Sequence, residues 1–175
     1  MKAFALTFGM LLLSSLAPAK DLLVNAGGKD MTVQYSVVNR EISEKDRGRG
    51  SQNSAIECSI LYYSLLAQGD IEGASQLATE PAAAVELWTQ YRERLGADDF
   101  RKEMAAYFTS KNTVLAEFLL TDEIMLVVKT PDYTAGQIYQ KKNGKYVVVA
   151  GKHLSEASKT LGKALTLFKE GKVRL

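Results

Sequence analysis

Cysteine, histidine and proline are all scarce in this sequence: 175 residues carry one Cys, one His and 3 Pro. A lone cysteine excludes an internal disulfide, and with it the stapled scaffolds of small secreted proteins. One His and one Cys, without a clustered acidic motif, cannot assemble a zinc or EF-hand ligand set, so no metal and no cofactor is expected. A phosphate loop is missing too, because Gly48 and Gly50 follow no clear strand and lead into no Gly-Lys-Ser/Thr. Charge of one sign is also lacking. The chain sets 22 basic residues against 20 acidic ones, and this balance gives no long-range attraction for nucleic acid. The basic residues Arg40, Lys45, Arg47 and Arg49 are interleaved with Glu41, Glu44 and Asp46, the pattern of a solvated loop. Past the N-terminus, no apolar run approaches the ~18 residues that a membrane crossing requires.

What is present is a chain 46% apolar and long enough for one domain with a substantial core. Its first residues have the form of an export leader. Lys2 provides a positive start, Ala3–Leu13 is a short apolar run, and Ala17 and Ala19 occupy the −3 and −1 positions of an A-x-A site. Cleavage is expected after Ala19, leaving residues 20–175 as a periplasmic or secreted protein with no stable membrane insertion. No cysteine stands at the junction to carry a lipid.

Periodicity predicts one α+β domain in four stretches. Residues 20–50 hold extended segments at Leu22–Asn25 and Met31–Val38, then a flexible loop from Asn39 to Gly50. Residues 51–110 read as helices. Ser54 and Glu57 suit a capping box before a stripe of Ile56, Ile60, Leu61 and Leu65, and Gly69 suits a left-handed stop. Asp70 caps a short helix over 71–78, Pro81 opens another over 82–95, and Asp98 caps a fourth over 99–109. Residues 113–151 read as antiparallel strands. Thr121-Asp122 forms a two-residue turn that places Glu117 opposite Leu126, and Asn143-Gly144 forms a type I′ hairpin that places Tyr139 opposite Val148. Residues 154–170 form an amphipathic helix capped by Ser155, with Leu154, Ala157, Leu161, Ala164, Leu165 and Phe168 on one face. Helices and strands are segregated rather than alternating, which is the α+β pattern.

The helices over Ser54–Thr109, followed by TVLAEFLLTDEIMLVVKT and GQIYQKKNGKYVVVAG, resemble in element order the NTF2-like (cystatin-like α+β roll) superfamily. That resemblance implies helices packed on a curved antiparallel sheet around a cone-shaped cavity. It also implies that any enzyme of this kind places an Asp, a His or a Tyr in the cavity. Two features depart from the pattern: no strand is evident between Ala78 and Pro81, and a helix follows the sheet.

Four residues are candidates for a ligand site. Trp88 and Tyr91 lie three apart on one helix face, and Tyr107 is on the next helix; such rings can wall an apolar pocket or simply fill the core. Glu117 falls among Leu115, Leu119, Ile124 and Val128, where desolvation would raise its pKa unless an Arg such as Arg92, Arg94 or Arg101 pairs with it. Cys58 between Ile56 and Ile60 reads as a buried thiol, and no local motif ties it to His153. The expected function is therefore non-catalytic binding of a small apolar ligand or of an envelope protein, with a homodimer possible. The alternatives are a proton-transfer enzyme, with Glu117 as base and a Tyr as oxyanion donor, and an inhibitor or immunity protein for an envelope hydrolase.

Overall fold

The computed structural model describes residues 19–151 and 154–173. The expected leader, apart from Ala19, lies outside the described residues, as does His153. The strands are β1 (Lys20–Ala26), β2 (Lys29–Glu41), β3 (Thr113–Leu120), β4 (Glu123–Lys129), β5 (Thr134–Lys142) and β6 (Lys145–Val148). They form one sheet in chain order, and every neighbouring pair is antiparallel. The helices α1 (Ala55–Gln68), α2 (Ile71–Ser75), α3 (Pro81–Leu95) and α4 (Ala97–Thr109) are inserted between β2 and β3; α5 (Glu156–Lys169) follows the sheet. The expected α+β class, with helices on a curved and unclosed antiparallel sheet, is what the chain adopts. Among the described residues no helix is long and apolar enough to cross a membrane.

The hairpins follow from backbone chemistry. Asn143 and Gly144 both have positive φ, 51° and 79°, as a type I′ turn demands, and this sets Lys142 against Lys145 and Tyr139 against Val148. Thr121 takes φ 57° in the turn before β4, and Glu117 faces Leu126 as expected. Register shifts between Val37 and Arg40 and between Val114 and Ala116 bend β2 and β3. A bulge of this kind increases local twist and lets the sheet wrap its helices.

The helical layers lie on both faces of the sheet. On one face α5 sets Leu161 and Ala164 against Val33, Phe118, Met125 and Val127. Gly136 lies beneath it because a Cβ there would come within 2.7 Å of Met125 Sδ and 2.9 Å of Leu165 Cδ2. On the other face α1 and α4 pack Ile60 and Phe108 against Val114, Leu126, Val128 and Tyr139. Four consecutive residues of β4, Met125 to Val128, are consequently buried, which is why this strand is an unbroken apolar run. A third cluster, containing Leu66, Ile71, Phe100 and Met104, binds α1 to α2, α3 and α4. The burial of α1 is broader than the expected stripe: Tyr62, Leu66 and Ala67 are buried on its far side, whereas Leu61 and Leu65 are half-buried.

Four local expectations need correction. The segment from Asn39 to Gly50 is anchored, because β2 continues to Glu41, Ile42 is fully buried and Gly48 N–H donates to Ser64 Oγ at 2.9 Å. Gly50 lies against α1 so closely that a Cβ would stand 2.2 Å from Leu61 N. Asp98 is not a cap; α4 starts at Ala97, and Asp98 pairs with Arg101. The segment after α2 is not helical up to Ala78. Ala78 forms a parallel bridge with Val148, so Leu77–Thr79 covers the free edge of β6. Ser54 accepts from Glu57 N–H, Asp70 from Gly73 N–H and Ser155 from Ser158 N–H as expected, but the expected box at α1 is half-made, since the Glu57 carboxylate accepts from Ser51 Oγ instead of reaching back to Ser54.

Candidate functional site

Between α3, α4 and the ends of β4 and β5 lies a cleft of about 580 Å³. The local sequence explains each wall. Trp88 and Tyr91 share one face of α3, and Tyr107 is one of the inward residues of α4. Gln137 and Ala135 reach the cleft from alternate positions of β5. The loop after β4 closes one side. Thr130 Oγ1 accepts from the backbone N–H groups of Asp132 and Tyr133, and Thr130 N–H donates to Tyr133 O at 2.8 Å. This fixes Asp132 and the exposed Tyr133 at the mouth. A smaller recess of about 280 Å³ is also bordered by Tyr63, Leu87, Trp88 and Gln137.

The floor is a hydrogen-bonded group of hydroxyls around Gln137. Ser59 Oγ and Tyr139 Oη both donate to Gln137 Oε1, at 3.1 and 3.0 Å, while Gln137 Nε2 donates to Tyr63 Oη at 3.0 Å. Ser59 Oγ and Tyr107 Oη share a hydrogen bond of 2.5 Å. The rings of Tyr63 and Tyr107 stack with centroids 4.1 Å apart. A buried polar group is costly without partners, and here the Gln137 amide supplies them for residues of α1 and β5. Burial pushes the Tyr107 phenol up to about 12 and raises those of Tyr63 and Tyr139 as well. These hydroxyls are therefore neutral donors and acceptors at physiological pH.

The upper wall is aromatic. Trp88 makes edge contacts with Tyr91 and Phe100 at 6.0 and 6.2 Å, and its Nε1–H donates to Tyr62 Oη. Tyr91 Oη donates to Glu103, whose carboxylate raises the phenol's pKa, and the Arg94 guanidinium lies 4.7 Å from the Tyr91 ring centre. The rings thus serve core and cleft together, each held in one orientation by packing and a polar partner.

Of the four residues singled out in the sequence, Trp88, Tyr91 and Tyr107 line this cleft and Glu117 does not. Glu117 borders neither recess. It sits on β3 between Ser36 of β2 and Leu126 of β4. Burial raises its pKa; the Tyr146 phenol is raised too, by its own burial first and by the Glu117 charge second. None of the three arginines considered for it pairs there; Arg101 bonds Asp98 and Arg94 covers Tyr91. Cys58 is fully buried and its thiol contacts Tyr146 O at 3.2 Å; burial pushes its pKa up to about 12. No group of three or more potential metal ligands occurs among the described residues.

Sequence reasoning missed Gln137 and Asn112. Gln137 is the central polar residue of the floor, yet a glutamine on a strand carries no signal beyond its alternation. Asn112 is 5% exposed at the end of α4, where its Nδ2 donates to Tyr107 O at 3.1 Å. Its Oδ1 is buried without a hydrogen-bond partner. No family model, curated protein or solved structure matches this chain, so the reading of the cleft rests on its own geometry.

Proposed function

We propose that the chain is an exported binding protein that holds a small, largely apolar molecule in the cleft between α3, α4 and the sheet. The observation that carries this reading is the cleft itself: about 580 Å³, walled by Trp88, Tyr91, Tyr107 and Val128, with oriented hydroxyls and an amide at its floor. Small-molecule sites are characteristically concave, of a few hundred Å³, mostly apolar, with a few placed polar groups. Ring packing and hydrogen bonds fix those walls in place, so little ordering cost falls on binding. Export is supported by the leader-like residues 1–19, and the NTF2-like resemblance supports a cavity between helices and sheet. The proton-transfer alternative gains no support from the site, because Glu117, the base it calls for, stands outside the cleft.

The test is native mass spectrometry of the protein purified from the envelope of its source cells. A one-to-one small-molecule adduct, lost when Ala135→Phe fills the cleft, supports the reading. A stoichiometric protein partner, or an adduct that persists in Ala135→Phe, refutes it. Ala135 lines the cleft and is half-buried, so the variant obstructs the space while leaving the main core untouched.

A further inference from the structure

The chemistry of the lining narrows the ligand class, an inference that rests on the cleft being a ligand site. Among the described residues that line it, the charged ones are Glu103 and Asp132, both carboxylates. Asp132 is set by the Thr130 turn, and Glu103 is held by the Tyr91 hydroxyl. Among the described residues neither has a lysine or arginine as an ion-pair partner, whereas Asp98, Asp99 and Glu156 elsewhere on the surface do. Five aromatic rings (Tyr63, Trp88, Tyr91, Tyr107 and Tyr133) border the same space. An aromatic face carries the negative part of the ring quadrupole and attracts a cation within about 6 Å, as the Tyr91 face does with Arg94 at 4.7 Å; Tyr63 and Tyr107 each give one face to their mutual stack. A third feature is independent of the charges: Asn112 lines the cleft, is 95% buried by its 5% exposure, and has an Oδ1 with no donor. A buried acceptor left unpaired costs free energy, and a ligand N–H would satisfy it.

We infer that the cleft takes an organic amine in its protonated form: an apolar or aromatic body against Trp88, Tyr107 and Val128, and an ammonium group toward Glu103, Asp132 and the Asn112 carbonyl. Aromatic faces and carboxylates stabilise the same sign of charge. An anionic ligand of equal size would meet both as repulsion. Arg94 does not reverse this, since it lies over the Tyr91 ring and does not line the space.

The experiment is isothermal titration calorimetry of the purified protein with three compounds on one ring: 1-naphthylmethylamine, 1-naphthalenemethanol and 1-naphthoate. The amine is expected to bind roughly tenfold more tightly than the alcohol, with the carboxylate weakest. Glu103→Gln and Asp132→Asn alter exposed side chains and should each cut the amine's affinity by roughly threefold to fivefold while leaving the alcohol's unchanged. Added salt should weaken the amine alone. Equal affinities, or a preference for the carboxylate, overturn the amine inference and leave a carrier of apolar molecules standing. No binding by any of the three, with Ala135→Phe indistinguishable from wild type, refutes the ligand site itself.

Discussion

Replacing Gln137 by leucine tests whether the cleft floor is held by a polar hub. The side chain is similar in size but can neither accept nor donate. Tyr139, 1% exposed, and Ser59, fully buried, would lose the oxygen to which they donate at 3.0 and 3.1 Å. Each buried group left unpaired costs about 1–3 kcal/mol, and the added apolar burial returns part of that, so the net loss is about 3 kcal/mol. Tyr63 likewise loses the amide that donates to its hydroxyl at 3.0 Å, whereas Ser59 keeps its hydrogen bond to Tyr107. For a chain of this size that is a fall in melting temperature of about 6–12 °C. The measurement is urea unfolding monitored by circular dichroism, on Gln137→Leu and on the triple variant Gln137→Leu, Tyr63→Phe, Tyr139→Phe. Removing the two phenol hydroxyls that Gln137 alone partners should leave the triple variant within about 1 kcal/mol of wild type. A loss below about 0.5 kcal/mol for Gln137→Leu, or a triple variant no better than the single one, would refute the hub.

Four further outcomes follow from the same structure. Cys58, with its thiol pushed up to about 12 by burial, should not react with a disulfide reagent at pH 8 until denaturant is added; titration with Ellman's reagent checks this. Tyr107 has its folded pKa raised by burial to about 12 from a usual 10, so the native state holds its proton longer than the unfolded chain. Its contribution, about 3 kcal/mol, is present below pH 10 and lost as pH rises through 12. Urea midpoints should fall over that window, in step with tyrosinate absorbance. Glu117 has its pKa raised by desolvation, so its contribution is present below the ordinary carboxylate range and lost as pH rises through the raised value. Glu117→Gln should therefore be more stable than wild type at pH 7, with the gain shrinking toward pH 4 in thermal melts. Glu123, 5% exposed, accepts from Ser155 and Ser158 at the start of α5; Glu123→Leu should cost about 2–4 kcal/mol in urea unfolding and raise hydrogen exchange selectively in α5.

The fold was legible wherever local chemistry sets the backbone. Asn143-Gly144 fixes one register, Thr121-Asp122 another, and Ser54, Asp70 and Ser155 mark helix starts, because each of these acts within four residues. Long-range geometry was not legible. That α5 covers the face opposite α1 comes from contacts between residues far apart in the chain, and the register shift between Val114 and Ala116 puts those two residues in different cores. The anchoring of Gly48 and Gly50 comes from contacts with Ser64 and Leu61 on α1, so a polar, glycine-rich stretch looks free when read alone. At the site, aromatic spacing on α3 and α4 marked Trp88, Tyr91 and Tyr107, whereas Gln137 and Asn112 matter through what surrounds them. Glu117 drew attention as a carboxylate among apolar residues, and its location apart from the cleft separates an unusual residue from a useful one.

The central claim, that the space beside Trp88 is a ligand site, is tested most directly through that residue, since the chain has one tryptophan. Labelled with 5-fluorotryptophan, the protein should give one fluorine resonance in NMR. On addition of the neutral dye N-phenyl-1-naphthylamine, that resonance should shift saturably at one equivalent in wild type and stay fixed in Ala135→Phe. A wild-type resonance that does not move, whether or not the dye's emission rises, would contradict the account.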